Sequence, residues 1–425
     1  MAGGASRPGP VTRGLRLPAR GPKMSLFQPT EPAFYGYLLL LVVTGILTAM
    51  QQGALLVSSP ASWLLSWLLL LFYLLPMFLV IYFLDFYERE PLSLVIGALL
   101  WGAVAATLLS AVANTTWGAV IARLGGPDFA ANWSAALTAP LIEETMKATG
   151  VVLIYLIARR ELNDIMDGFV YGAMIGLGFA VVEDVYYFVA EFAGGVGGVL
   201  VGFFVRVIAA GLYGHVLYTG LAGIGIAYFL TRAKEAGLGR RLLVAAGLCL
   251  TAVLAHFLWN SPVLSQLFPG PQTPPLAALV QFPVAMAVKG LPFLVFLALM
   301  LRLAHRRELY WLKKSIETEL GGPGLYPGEL EVLVDPGRRR ASRRQMRGSH
   351  GPVAATLLKR VQREQIKLAM IRTRVGTQDH PDLARQRGVI QRLRDQLAVA
   401  VSPRPPVWPG AQQPPWWPGD QPPRR

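Results

Sequence analysis

Eight stretches of the chain are apolar over about the 20 residues that a helix needs to cross a bilayer: Phe34 to Val57, Trp63 to Leu84, Leu94 to Ala122, Ser134 to Ala158, Gly168 to Ala190, Arg206 to Leu230, Leu242 to Leu264 and Ala277 to Leu301. The intervals between them are short and polar. The pattern predicts an all-α polytopic membrane protein with about eight transmembrane helices, followed by a basic, partly disordered C-terminal tail. Four regions follow: a basic cytoplasmic leader over 1–33, a transmembrane domain over 34–304, a basic cytoplasmic tail with helical segments over 305–401, and a Pro/Trp-rich disordered end over 402–425.

Composition supports the pattern. The 425 residues are 53% hydrophobic and 15% charged, and the mean hydropathy is +0.43, which excludes an ordinary soluble globular protein. Charge also orients the chain, because cytoplasmic loops hold the excess of Lys and Arg. The leader has Arg7, Arg13, Arg16, Arg20 and Lys23, and the inner loops have Arg89, then Arg159 and Arg160, then Arg232, Lys234, Arg240 and Arg241. The outer loops together hold only Arg123. A multi-pass protein of the cell membrane with both termini in the cytoplasm is expected. Cys249, the single cysteine, lies in an apolar run and forms no disulfide framework.

From His305 to Arg425 the chain holds 23 of its 40 Lys and Arg and 11 of its 25 acids, hence +12 of the net +15. The run RRRASRRQMR, Arg338 to Arg347, reads as disordered and solvated, whereas Val353 to Arg374 and Gly388 to Ala400 have apolar residues at helical spacing. The proline-rich end reads as polyproline II. Basic residues just inside a membrane attract anionic lipid, each contributing about 1 kcal/mol. No nucleic-acid fold signature accompanies the charge, so no specific nucleic acid is expected.

An ionisable group at bilayer depth is costly and therefore points to the protein interior and to function. The groups here are Glu143, Glu144 and Lys147 in the fourth stretch, Glu183 and Asp184 in the fifth, His215 in the sixth, His256 in the seventh and Lys289 in the eighth. Counting inward from outer ends at Ser134, Ala190, Arg206 and Leu264 puts Glu143, Glu183, His215 and His256 at a common depth of about 10 to 14 Å. Glu143 and Glu144 precede Lys147 by four and three residues, so all three share a helix face, and one Glu pairs with the lysine while the other is left for chemistry.

Imidazole and carboxylate are ordinary Zn²⁺ ligands, and three protein ligands with water make an open catalytic site. The arrangement points to metal-assisted hydrolysis. Glu183, His215 and His256 would hold a divalent metal, zinc by this chemistry, and Glu143 or Glu144 would take the proton from water. Lys147 or Asn260 would orient groups or stabilise an oxyanion. The chain has no HExxH sequence and is no zincin. A proton-coupled transporter would use the same buried groups as a relay, but no internal repeat with paired broken helices is seen. A non-catalytic scaffold binding partners through the tail is the third class.

The motifs IEETMK (Ile142 to Lys147), FAVVE (Phe179 to Glu183), GHVLYTG with His215, and HFLWN (His256 to Asn260), in order on successive spans, resemble the PrsW family of intramembrane metalloproteases. DFYEREP, Asp85 to Pro91, resembles a further segment of that family, which lies in the superfamily of CAAX prenyl endopeptidases and bacteriocin-processing proteins. The likeness covers roughly 34–304. It implies an endopeptidase acting on membrane-anchored protein substrates, as the family's namesake cuts an anti-sigma factor on its extracytoplasmic side. The residues it carries over are Glu143, Glu144, Glu183, His215, His256 and Asn260.

Overall fold

The computed structural model describes residues 24–85, 89–192, 195–269, 273–322, 324–374 and 380–402. The leader before Met24, residues 86–88 of the DFYEREP segment and the Pro/Trp-rich end from 403 lie outside the described residues. The chain forms two compact units, one over Arg20–Glu308 and one that holds the chain from Leu309 on.

Most helices of the membrane region follow from the apolar pattern. In order they are α1 (Pro32–Ser58), α2 (Pro60–Leu84), α3 (Leu92–Gly125), α4 (Pro127–Ile157), α5 (Ile165–Glu191), α6 (Val196–Ala209), α7 (His215–Thr231), α8 (Leu238–Asn260) and α9 (Pro275–Glu317). Proline opens α1, α2 and α4, where its fixed φ suits the first turn and its missing N–H is no loss. Among the described residues, α1, α2, α3, α5, α8 and α9 are long and apolar enough to span a membrane. α4 has the length, 31 residues, and carries Glu143, Glu144 and Lys147 within it.

The sixth stretch departs from the sequence expectation. It is not one span from Arg206 to Leu230 but two short apolar helices, α6 and α7, separated by residues 210–214. Two glycines cause the break: Gly211 takes φ +58°, the left-handed region that a Cβ disfavours, and Gly214 is extended. The last turn of α6, Phe204–Ala209, is also widened into a π-helix. His215 is therefore the first residue of a helix, not the tenth. The common depth inferred by counting from Arg206 loses its basis, and whatever brings the groups together must come from packing.

α5 supplies that packing. The apolar window of α5 is 94% buried against 22% for α1, so the other helices surround it. It starts at a capping box, with the Asp164 and Asp167 side chains closing the first turn. Gly172 and Gly176 let α7 approach to backbone contact, since a Cβ would lie 2.3 Å from Thr219 O and 2.2 Å from His215 O respectively. Small residues at such a crossing are what membrane helices use to pack closely. The glycine stripe thus fixes where His215 stands.

The second unit is also helical, with α10 (Glu329–Val334), α11 (Pro336–Arg374) and α12 (Pro381–Val401). Leu368, Leu383 and Ile390 form its small core, backed by Ile371, and Arg387 holds Glu319 through two bonds of 2.7 and 2.8 Å. The run Arg338 to Arg347 is not disordered: it lies in α11. Its start is fixed by Asp335, which accepts the N–H groups of Gly337 (2.6 Å) and Arg338 (3.1 Å), the N-terminal cap that the arginine-rich composition concealed. Gly351, non-helical at φ 84°, divides α11 into two helical segments.

Candidate active site

A little over one turn of α4 puts Glu143, Glu144 and Lys147 into the interior, where they are 3%, 4% and 0% exposed. The lysine does not choose between the carboxylates. Its Nζ lies 3.2 Å from Glu143 Oε2, 2.9 Å from Glu144 Oε1 and 2.8 Å from His215 Nδ1, with the Phe179 ring 3.7 Å away. All three ammonium donors are used. The expectation that one glutamate pairs with Lys147 and the other stays free is corrected, because a fully buried ammonium can satisfy its donors only on several acceptors at once.

Each histidine is held by a carboxylate on one nitrogen. His256 Nδ1 lies 3.0 Å from Glu144 Oε1, and Glu144 Oε2 accepts from Thr219 Oγ1 at 3.1 Å. His215 Nε2 lies 2.9 Å from Glu183 Oε2. A nitrogen facing a carboxylate carries the proton in a neutral imidazole, which leaves His256 Nε2 and His215 Nδ1 with the lone pairs, the latter accepting from Lys147 Nζ at 2.8 Å. Both face Glu143 Oε2, at 3.8 and 4.0 Å. Glu143 Oε1 in turn accepts from Asn114 Nδ2 at 3.0 Å.

Glu183 thus stands behind His215, away from the common point. Its Oε2 also takes Arg206 Nη2 at 2.5 Å, and Arg206 Nε binds Asp184. Arg206 lies over the Tyr187 ring at 4.1 Å. Asp184, 100° around the helix from Glu183, is thereby paired and not left toward water. Asn260 is not in the cluster: its amide donates to Ala135 O at 3.3 Å, tying the end of α8 to α4. Lys289, buried in α9, donates to Ser261 O at 3.2 Å, at the end of α8 where helix carbonyls lack partners. Cys249 is a half-buried free thiol on α8.

Glu143, His215 and His256 offer ligand atoms within 4.8 Å of one another, and the set of groups fits a divalent cation. The histidines carry the carboxylate partners that metal-binding imidazoles ordinarily have. Charge agrees. Four carboxylates, Glu143, Glu144, Glu183 and Asp184, face only two cations, Lys147 and Arg206, so the cluster carries a formal excess of two negative charges.

A family model described as PrsW family intramembrane metalloprotease matches residues 90–288. Residues 90–288 belong to the PrsW family. The match takes in every helix that contributes to the cluster, from Asn114 on α3 to His256 on α8, and leaves out α1, α2 and the basic tail. No curated protein and no solved structure matches the chain. The PrsW family is described as one of intramembrane metalloproteases.

Sequence reasoning had not assigned four groups that the fold brings to this cluster: Asn114, Arg206, Thr219 and Tyr218. The first two had a signal, being polar side chains within apolar stretches. Arg206 had been set at the mouth of a span that proved to be broken. Tyr218 stacks on His256 with ring centres 4.9 Å apart and meets His215 edge-on at 5.7 Å, which nothing in its sequence context announces.

Proposed function

We propose that the chain is an intramembrane endopeptidase that hydrolyses a peptide bond of membrane-anchored proteins at the Glu143, His215 and His256 cluster. The observation that carries this reading is the convergence of the lone-pair nitrogens of two imidazoles on one oxygen of a buried glutamate. Glu143 or Glu144 accepts the proton of the attacking water and returns it to the amide nitrogen as the C–N bond breaks. Glu144 and Glu183 fix the ring orientation of His256 and His215, and Lys147 holds Glu143 and Glu144 in place. Glu143, His215 and His256 would hold a divalent ion, with Zn²⁺ favoured by two imidazoles and a carboxylate. Such an ion supplies the Lewis acidity that makes water nucleophilic near neutral pH.

The reading extends to topology and partners. Lys and Arg asymmetry supports cytoplasmic termini and a site nearer the outer face. The membrane region to residue 304 is taken as the catalytic domain and the basic tail as a separate cytoplasmic module. In that tail Arg340, Arg344 and Arg347 are exposed at spacings that share one face of α11, which suits anionic lipid. A membrane-anchored anti-sigma factor is the substrate type to try first.

The test compares membrane proteomes of cells with the active protein and with Glu143→Gln, Glu144→Gln or His215→Ala, all expressed to the same level. Proteins that lose a fragment only with the active form are the substrates. Full cleavage by all three variants would end the protease reading. Metal content of the purified protein is measured alongside; it should approach one ion per chain and fall in His215→Ala and His256→Ala.

A further inference from the structure

Lys289 on α9 is a buried cation that the cluster does not use; it is 3% exposed. An ammonium has three donors, and Lys147 places all of its own on acceptors at 2.8 to 3.2 Å. Among the described residues, Lys289 places one. Its Nζ donates to Ser261 O at 3.2 Å, the Phe268 ring lies 4.9 Å away, and no carboxylate stands within ion-pair distance. Holding the end of α8 accounts for that one donor, and a neutral side chain would serve the carbonyl without the cost of a buried charge. An ionisable group kept at membrane depth without an anion is by default a functional one whose partner is to be named.

Its surroundings tie Lys289 to the site. Gly290, the next residue of α9, has no room for a Cβ, which would lie 2.6 Å from Tyr213 Cγ. Phe293, one turn on, stacks on the same ring at 6.1 Å. Tyr213 in turn donates to Ala255 O at 2.6 Å, one residue before His256, and lines with Tyr73, Arg206, Tyr218 and Trp259 the cavity beside His215. Ser261 comes five residues after His256, about 7.5 Å along the axis of α8, so the Lys289 ammonium stands on the order of 10 Å outward from the cluster.

We propose that Lys289 receives a carboxylate of the substrate, an Asp or Glu side chain on the outer side of the scissile bond. The inference rests on the endopeptidase reading and names a feature of its substrate. A carboxylate is the partner that a buried ammonium with two open donors fits, because it neutralises the charge and accepts both remaining N–H groups. At about 3.3 Å per residue, a span of roughly 10 Å is about three residues of chain, which sets the distance between the acid and the bond that is cut. A chain without the acid leaves the ammonium unpaired, and a site built to hold a polar group rejects the analogue that lacks it for that reason.

The full chain carrying Glu143→Gln is placed in lipid nanodiscs. The probe is a Leu/Ala membrane-spanning peptide about 20 residues long with a single Glu near one end, or Gln at the same place. Fluorescence titration is expected to show the Glu peptide bound about tenfold tighter. Lys289→Met should bind the two alike, Lys289→Arg should keep the preference, and Lys289→Glu should prefer a peptide with Lys at that place. Lys289→Met removes a buried unpaired charge, so its unfolding temperature should stay or rise. A carbodiimide, which joins a carboxylate to an amine in contact, should couple the peptide Glu to Lys289 with no substitution at that position. Equal binding of the Glu and Gln peptides, a preference that persists in Lys289→Met, or coupling only to other lysines would overturn the proposal. A phospholipid that native mass spectrometry finds with Lys289 in place and not with Lys289→Met, while the Glu and Gln peptides bind alike, gives the anion to lipid and overturns it too.

Cleavage of the same peptides by the protein with Glu143 intact separates this inference from the one beneath it. Moving the Glu by two residues should move the cut by two. Cleavage indifferent to the Glu overturns the acid site alone, whereas a Glu preference in binding without cleavage upholds that site and counts against the protease.

Discussion

The two histidines are held in the same way but by different kinds of structure. His256 lies inside the regular helix α8, 2% exposed, and its carboxylate partner Glu144 is 4% exposed with both oxygens occupied by Lys147, His256 and Thr219. His215 begins a helix after a glycine break, 9% exposed, and its partner Glu183 hangs on Arg206 from a widened π turn. The first arm is closed and the second faces a cavity. Regular, fully satisfied structure is rigid, and irregular segments with fewer buried contacts open more easily. The comparison assigns the closed arm to holding the catalytic geometry and the open arm to admitting the substrate.

The strongest way to break that division is at the point both arms share. Glu143→Gln preserves shape and removes the charge, so cleavage of an identified substrate should fall by roughly 10²–10⁴-fold while the unfolding temperature in detergent changes little. Next comes the closed arm. Glu144→Ala takes one acceptor from Lys147 and the carboxylate partner from His256 and Thr219, and should destabilise the fold by about 1–3 kcal/mol, because buried donors are left unsatisfied. Thermal unfolding of the purified protein measures it. A stable Glu144→Ala protein that merely lost activity would show the closed arm to be no scaffold.

The open arm should respond in the opposite sense. Arg206→Lys keeps the positive charge but loses the forked grip on Glu183 and Asp184. Activity is expected to drop about 10–100-fold, the size of effect seen when a partner that orients a metal or catalytic ligand is lost. The unfolding temperature should stay near that of the parent. A large loss of stability with normal kcat in the surviving protein would make Arg206 structural and remove the distinction between the arms.

How much of this could be read in advance differs between fold and site. Apolar length sets helix existence, so the first three spans, the fifth, the seventh and the eighth match helices long and apolar enough to cross a membrane. The sixth did not, since Gly211 and Gly214 sit in an apolar run whose average hides a backbone break. At the site, the ionisable residues were legible because burying them is costly anywhere in a membrane. Their partners were not. That Lys147 serves both glutamates, or that Glu183 backs His215 while Glu143 faces both rings, depends on the contact of Gly172 and Gly176 with α7, a three-dimensional fact.

Asn114 gives the smallest expected effect and the finest test of the comparison. It sits in the ANTTWG segment of α3, outside both arms, and donates Nδ2 to Glu143 Oε1 at 3.0 Å, while its buried Oδ1 has no partner. One neutral-to-charged hydrogen bond contributes about 1.5–3 kcal/mol, but Glu143 keeps its contact with Lys147, so the carboxylate is loosened and not released. Asn114→Leu, similar in size, also removes the unsatisfied oxygen, which offsets part of the loss in stability. Cleavage should therefore fall by roughly tenfold with the unfolding temperature unchanged or raised. If Asn114→Leu instead equals Glu143→Gln in its effect on kcat, the geometry of Glu143 is set from α3, and the two histidine arms do not by themselves define the reacting point.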